Sequence, residues 1–398
     1  MVRRIVVIGA SLAGLRAAEA LRARGFDGSL TLVGDEPHLP YDRPPLSKQV
    51  LQGAWDAARA FFRKQEGYGS LALDLRLATR AVSVDLGARH VTLDDDSLVQ
   101  YERLIIATGA RPRWIPSIPS VGGVHVLRTL DQALALRDEI GHARRVVIIG
   151  AGFIGLEVAA SCRARGVDVT MIESFELPLP VCGPTIGSLV AATHRDHGVD
   201  LRTGATVAAI HGTARVEAVE LSDGTRVAAD VVVIGVGVVP ATAWLEGSGL
   251  TLDGGILCDS RGEAAPGVFA AGDVARIPNG WIGDAPRIEH WSNAVEQAAF
   301  VAESALDGDS GRVFSSVPYF WSDQYDRKIQ FVGLARPHDE MVVVEGSIAD
   351  RQLTALFRRG DTLCACLTIN QPRSLVRFRK LLAERVSWAA ALAAVSGA

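Results

Sequence analysis

The sequence predicts an α/β protein in which two similar doubly wound halves precede a smaller α+β domain. Three observations carry that expectation. An apolar strand, a Gly-rich turn, a helix and a second strand follow one another at the N-terminus, the same order recurs from Arg145, and the patterning changes character from Val313 onward. With 398 residues the chain has room for several domains.

The first predicted unit passes from a strand at Ile5–Ile8 through the turn Gly9–Gly14 into a helix at Leu15–Arg24. Leu12, Leu15, Ala18 and Leu21 fall on one face, Gly25 can stop the helix, and a second strand follows at Leu30–Val33. The second unit repeats this grammar as strand Val146–Ile149, turn Gly150–Gly155, helix Leu156–Arg165, stop Gly166 and strand Val169–Ile172. Each unit closes on an apolar strand entering a Gly turn, at Leu104–Gly109 and Val231–Gly237. A further strand of this type, Gly267–Val274, is assigned back to the first half, so the second half is an insertion. The predicted organisation is one Rossmann-like domain over 1–110 and 242–312, a second over 111–241, and an α+β domain over 313–398. The last has short strands near Ile329–Val332 and Met341–Val344 and one helix near Leu375–Arg385.

Composition narrows the function. There are 41 Lys and Arg against 45 Asp and Glu, a net charge of −4, so the chain as a whole does not attract nucleic acid or anionic membranes. The apolar or Gly runs, such as Val231–Val239 and Val146–Leu156, reach only about half a membrane span, and membrane insertion is not expected. The apolar N-terminus runs directly into Arg16, Glu19, Arg22 and Arg24, unlike a secretory signal. Five scattered cysteines contain no CxxC pair and suit a reducing cytoplasm; no metal site is expected.

The chemistry lies in the turns. Gly150, Gly152 and Gly155 form a full GxGxxG between strand and helix: the first permits the turn, the second admits a pyrophosphate, and the third lets helix and strand approach. Phe153 and Ile154 lie within it, and Gly237 closes the same unit. Glu173, ending the next strand, is placed to accept hydrogen bonds from ribose hydroxyls and to repel a 2′-phosphate, which favours NADH; Arg163 and Arg165 keep NADPH open. In the first turn, Gly9, Leu12, Ala13 and Gly14 fit the pattern, but Ser11 replaces the second glycine. Asp35 and Glu36 can hold a ribose or be turn residues. Two dinucleotide sites imply two cofactors, and FAD with NADH is the economical pair.

The sequence resembles the FAD-dependent ferredoxin reductases of the two-dinucleotide-binding-domain, glutathione-reductase-like flavoproteins, the group of putidaredoxin reductase, aromatic-ring dioxygenase reductase components and apoptosis-inducing factor. The segments carrying the resemblance are Pro40–Lys48, Ala107-Thr108-Gly109, Gly152–Glu157, Gly272-Asp273-Val274 and Phe320–Tyr325. It implies that Arg43 and Lys48 contact FAD, that Lys48 lies beside the isoalloxazine paired with Glu157, and that Val82 offers its backbone to adenine. Val82 read without the resemblance is equally a core residue. Arg128 and Asp273 are implied to bind the pyrophosphate and ribityl chain, Phe153 to lie beside the flavin, Glu289 to face the carboxamide, and Trp321 to stand between flavin and the third domain. Lys48, Glu157 and Trp321 are the implied catalytic set. Trp291 either packs near the ring or is a buried aromatic.

Disulfide reductases of this superfamily carry a cysteine pair near the first helix, whereas residues 35–60 here contain none. The expected activity is that of an oxidoreductase passing electrons from NADH through FAD to a [2Fe-2S] ferredoxin that serves a cytochrome P450 or a Rieske oxygenase, with the chain acting as monomer or homodimer. Reduction of rubredoxin, a quinone or oxygen, and a redox-sensing interaction role, are the alternatives. Arg373, Arg377, Arg379 and Lys380 are the candidate dock for an acidic ferredoxin.

Overall fold

The computed structural model describes residues 2–116, 118, 121–308 and 311–396. Seven α-helices are described: α1 (Leu12–Ala23), α2 (Leu130–His142), α3 (Phe153–Ala164), α4 (Pro184–Asp196), α5 (Trp291–Asp307), α6 (Pro372–Ala383) and α7 (Trp388–Ser396). Packing divides the chain into two compact units, Met1–Asp42 with Phe61–Arg111 and Val239–Phe320, and Arg43–Ala60 with Pro112–Val238 and Trp321–Ala398. Residues 43–60, which sequence order puts in the first half, thus count with the second unit.

The first unit is built on a six-stranded sheet in the order Glu263–Ala265, Val268–Ala270, Arg103–Ile106, Arg4–Ile8, Ser29–Val33, Leu73–Arg76. Ile5, Val6, Val7 and Ile8 are all buried, as a parallel strand covered on both faces requires. Arg4–Ile8 pairs parallel with Ser29–Val33 on one side and with Arg103–Ile106 on the other, and the latter pairs in turn with Val268–Ala270. Leu21, Leu32, Phe269 and Val301 belong to one continuous core there.

The second unit has a five-stranded sheet ordered Val199–Arg202, Asp168–Ile172, Arg145–Ile149, Val231–Ile234, Val124–Val126, parallel throughout. Toward the C-terminus a five-stranded sheet runs Tyr319–Gln324, Arg327–Gly333, Thr362–Ile369, Gln352–Arg359, Glu340–Ser347. Two of its strands coincide with the predicted short runs and extend beyond them. The single predicted helix is α6, and α7 follows it unpredicted.

Helices α1 and α3 begin at Leu12 and Phe153, three residues before the positions predicted. The third glycine of each turn therefore lies inside the first helical turn. The reason is geometric: a Cβ on Gly14 would sit 1.8 Å from the Gly9 carbonyl oxygen, and one on Gly155 would sit 2.1 Å from that of Gly150. Helix and strand approach until only hydrogen fits between them.

Candidate functional site

In the first unit, Gly9 has φ +112° and its Cβ would lie 2.2 Å from the Ala107 carbonyl oxygen, so the turn and the closing strand are in direct backbone contact. Thr108 Oγ1 donates to the Ala241 carbonyl at 3.0 Å, and the Ala241 amide donates to Gly109 at 3.0 Å. Gly272 comes to the same place: its Cβ would meet that of Ala13 at 3.0 Å, and its amide donates to the buried Gln297 Oε1 at 2.9 Å. The structure thus brings Gly9, Ser11, Leu12, Ala13 and Gly14 together with Gly272, Asp273 and the buried Val274.

Asp35 is exposed, while Glu36 accepts a hydrogen bond from the Tyr41 hydroxyl. Val82 is 40% exposed, so the core reading of this residue is excluded. Glu289 is exposed and pairs with Arg287, and Trp291 Nε1 donates to Asp42 at 2.8 Å, which ties the first residue of α5 to the segment before Arg43. Next to it, His290 packs against Phe320 with ring centroids 4.9 Å apart. Its Nδ1 is shielded from solvent and has no hydrogen-bond partner among the described residues, and burial pushes its pKa down to about 4 despite Asp273.

The second unit holds the other Gly turn. Gly150 has φ +100°, and its Cβ would lie 2.5 Å from the Gly235 carbonyl oxygen. Gly152 differs from its neighbours, because a Cβ there would meet nothing nearer than that same oxygen at 4.0 Å. The fold does not require glycine at 152, whereas an approaching anion would. Helix α3 starts at Phe153 with Gly152 as its cap, and the cap residue has no side chain to bond the first N–H groups. Ile154 is exposed on that turn. Gly237, with φ +93°, accepts from the Arg113 amide at 2.9 Å.

Glu173 is 7% exposed. One oxygen accepts from the Ala151 amide at 2.6 Å, and the other from the Phe175 amide at 3.0 Å and Ser174 Oγ at 3.2 Å. A carboxylate has roughly four acceptor positions, so about one remains for a ribose hydroxyl. Arg163 and Arg165 do not share this place. They lie at the other end of the 12-residue α3, about 18 Å along the axis, bound to the His197, Leu51 and Arg137 carbonyls, which removes the sequence argument for NADPH.

Arg43 Nη1 donates to the Arg128 carbonyl at 2.6 Å, just before Thr129 caps α2. Lys48 and Glu157 are both buried and meet at 2.7 Å. Around this pair lie residues the sequence analysis did not assign. Ser47 Oγ donates to Glu157 Oε2 at 2.5 Å, and Ser322 Oγ donates to Glu157 Oε1 at 2.7 Å. Gln324 Nε2 donates to Ser322 Oγ at 3.1 Å, and His194 Nε2 lies 3.0 Å from Gln324 Oε1. The signal was available: Ser322 and Gln324 are two polar residues on the buried face of a strand, where the two-residue period calls for apolar ones. Trp321 stands on the opposite, partly exposed face of that strand.

Comparison with known proteins finds the family described as pyridine nucleotide-disulphide oxidoreductase over residues 3–298, and the reductase C-terminal family over 319–396. Rhodocoxin reductase of Rhodococcus erythropolis is 37% identical, with 96% of this chain and 90% of the relative covered. The ferredoxin–NAD(+) reductase component of the anthranilate 1,2-dioxygenase system of Burkholderia cepacia is 37% identical, covering 95% and 93%. The covalent putidaredoxin reductase–putidaredoxin complex contains a chain that superposes with a TM-score of 0.92 at 34% identity, covering 96% and 93%.

Proposed function

From the membership of this chain in the pyridine nucleotide-disulphide oxidoreductase family, we propose that it is an FAD-dependent NADH:ferredoxin oxidoreductase serving a cytochrome P450 or Rieske oxygenase in the cytoplasm. The observation that carries the reading is the buried Lys48–Glu157 pair in a chain whose thiols are inert. Burial pushes Cys162, Cys182, Cys258 and Cys364 up to about 12 and Cys366 higher still, so none supplies the thiolate that a disulfide relay needs. FAD, when bound, takes a hydride from reduced nicotinamide and returns electrons one at a time.

The residues of the chain supply position and charge. The first N–H groups of α1, at Leu12–Gly14, offer backbone donors to the pyrophosphate of FAD beside Asp273, and Ser11 adds a hydroxyl where a glycine is usual. The open backbone at Gly152 and the N-terminus of α3 receive the pyrophosphate of the nicotinamide cofactor. Glu173 offers its remaining acceptor position to a ribose hydroxyl and opposes a 2′-phosphate, and the Arg202 guanidinium on the adjacent strand is paired with Asp200 at 2.8 Å. NADH is therefore preferred. Lys48 would supply an ammonium to the negative charge that develops on the reduced ring, and Glu157 holds that ammonium at 2.7 Å.

Anaerobic stopped-flow mixing tests the reading. NADH is expected to bleach the flavin faster than NADPH, and an added [2Fe-2S] ferredoxin to recolour it. A flavin that reoxidises only with oxygen or quinone would defeat the assignment. Glu173→Arg is expected to shift the ratio of kcat/KM values toward NADPH by at least about tenfold; an unchanged ratio would remove its role.

A further inference from the structure

We propose that Ser322, Gln324, His194 and Tyr325 form a hydrogen-bonded positioning chain that locks the Glu157 carboxylate, and through it the Lys48 ammonium, in a single arrangement. The role of that ammonium rests on the function proposed above. The chain of contacts itself does not.

Every hydrogen in the series is fixed by the ionised carboxylate at its end. Glu157 can only accept, so the one hydroxyl proton of Ser322 points to Oε1 at 2.7 Å. The serine oxygen must then accept, and the Gln324 amide nitrogen faces it at 3.1 Å, which turns the Gln324 oxygen toward His194. That oxygen accepts at 3.0 Å, so Nε2 of His194 carries the proton and Nδ1 is bare. The Tyr325 hydroxyl, 3.1 Å away, donates to Nδ1. His197 stacks on Tyr325 with ring centroids 3.6 Å apart, and its own ring is held by the Thr193 carbonyl at 2.8 Å.

Each link removes a freedom that the link before it would otherwise keep. Ser322 alone could rotate its hydroxyl away from Glu157, and Gln324 forbids that. Gln324 could flip its amide, and the His194 N–H forbids that. His194 with its proton on Nδ1 would set two lone pairs, Nε2 and Gln324 Oε1, face to face, and in the tautomer that avoids this the Tyr325 hydroxyl satisfies the bare Nδ1. All four donors point toward Glu157, so their dipoles reinforce one another around the negative charge. Burial pushes the His194 pKa down to about 4, which keeps the ring neutral and able to accept from Tyr325. Ser322, Gln324 and His194 are all buried, a costly arrangement for polar side chains unless every group is satisfied.

Two measurements test this. In the apoprotein or holoprotein labelled with nitrogen-15 in histidine, the His194 ring is expected to show a neutral Nε2–H tautomer at pH 6, its signals identified by their loss in His194→Gln. A charged ring or the Nδ1–H tautomer there would overturn the chain without touching the proposed activity. In the holoprotein, Ser322→Ala is expected to slow flavin reduction by NADH about tenfold at unchanged NADH affinity, and Ser322→Thr to restore it. Tyr325→Phe, which keeps the ring and its stacking, is expected to slow reduction about threefold. The double variant Ser322→Ala/Tyr325→Phe should then be no slower than Ser322→Ala, because cutting the chain at Ser322 already disconnects Tyr325. Multiplying effects, or no effect of Tyr325→Phe, would overturn the proposal. Wild-type flavin that NADH does not reduce would instead sink the functional reading, and the tautomer measurement would still decide on the chain.

Discussion

Gly152 and Gly155 stand three positions apart in one turn, and the structure makes different demands on them. A methyl group at 155 would be driven against the Gly150 carbonyl, whereas one at 152 comes no closer than 4.0 Å to the Gly235 carbonyl oxygen. Gly155→Ala is therefore expected to lower stability by about 3 kcal/mol, read as a fall in the denaturation midpoint. Gly152→Ala should leave that midpoint within error and raise KM for NADH roughly tenfold, because a Cβ now stands where the pyrophosphate approaches. Equal effects on both readouts would show that the turn has no ligand. For Lys48→Ala the expectation is flavin reduction slowed about 100-fold with FAD retained, measured under single-turnover conditions. The sequence made these residues legible because glycine spacing and a charged pair in a quoted motif are local signals. Ser322 and Gln324 left a local trace as polar residues at alternate positions of a strand, but their partners His194 and Glu157 lie more than a hundred residues away, and no local pattern names those partners.

At the level of elements, the first strand, turn and helix of each half were readable from hydrophobic periodicity, with the helix starts misjudged by one turn because the glycines masked helical residues before them. Helix α7 gave no signal, since Trp388–Ser396 is an almost uniformly small and apolar run without an amphipathic period. Helix α6 does have two faces. Arg377 is committed inward: it pairs with Glu345, stacks over Phe378, and donates to the Ala394 carbonyl at 2.9 Å. It is thereby removed from the predicted docking cluster, and Arg377→Ala is expected to cost about 1–2 kcal/mol of stability. Arg373, Arg379 and Lys380 lie on the exposed face with Val376. Reversing charge with Arg373→Glu/Lys380→Glu should raise KM for an acidic ferredoxin about tenfold at low salt and flatten its salt dependence, with flavin reduction by NADH unchanged. An unaltered salt slope would take α6 out of the interface.

For the molecule as a whole, the buried His194 and the half-buried His290 set an acid limit. His194 and His290 are pushed down to about 4 by burial, while an unfolded chain takes up the same protons near 6.5. The stability these rings contribute is complete above about pH 6.5 and is lost as pH falls toward 4, by up to about 1.4 kcal/mol per pH unit for each ring. Urea midpoints at pH 7.5 and 5.5 check this: a lower midpoint at the acid value is expected, and a smaller difference in His290→Leu. The order of strands in the first sheet carries a last consequence, for biosynthesis. Ribosomes deliver the N-terminus first, yet Arg103–Ile106 obtains its neighbour Val268–Ala270 only after every strand of the inner parallel sheet, from Val124 to Ile234, has emerged. The inserted half can mature on the nascent chain while the enclosing one waits with a bare apolar edge, so this protein should lean on chaperones during translation in proportion to how slowly those intervening codons are read.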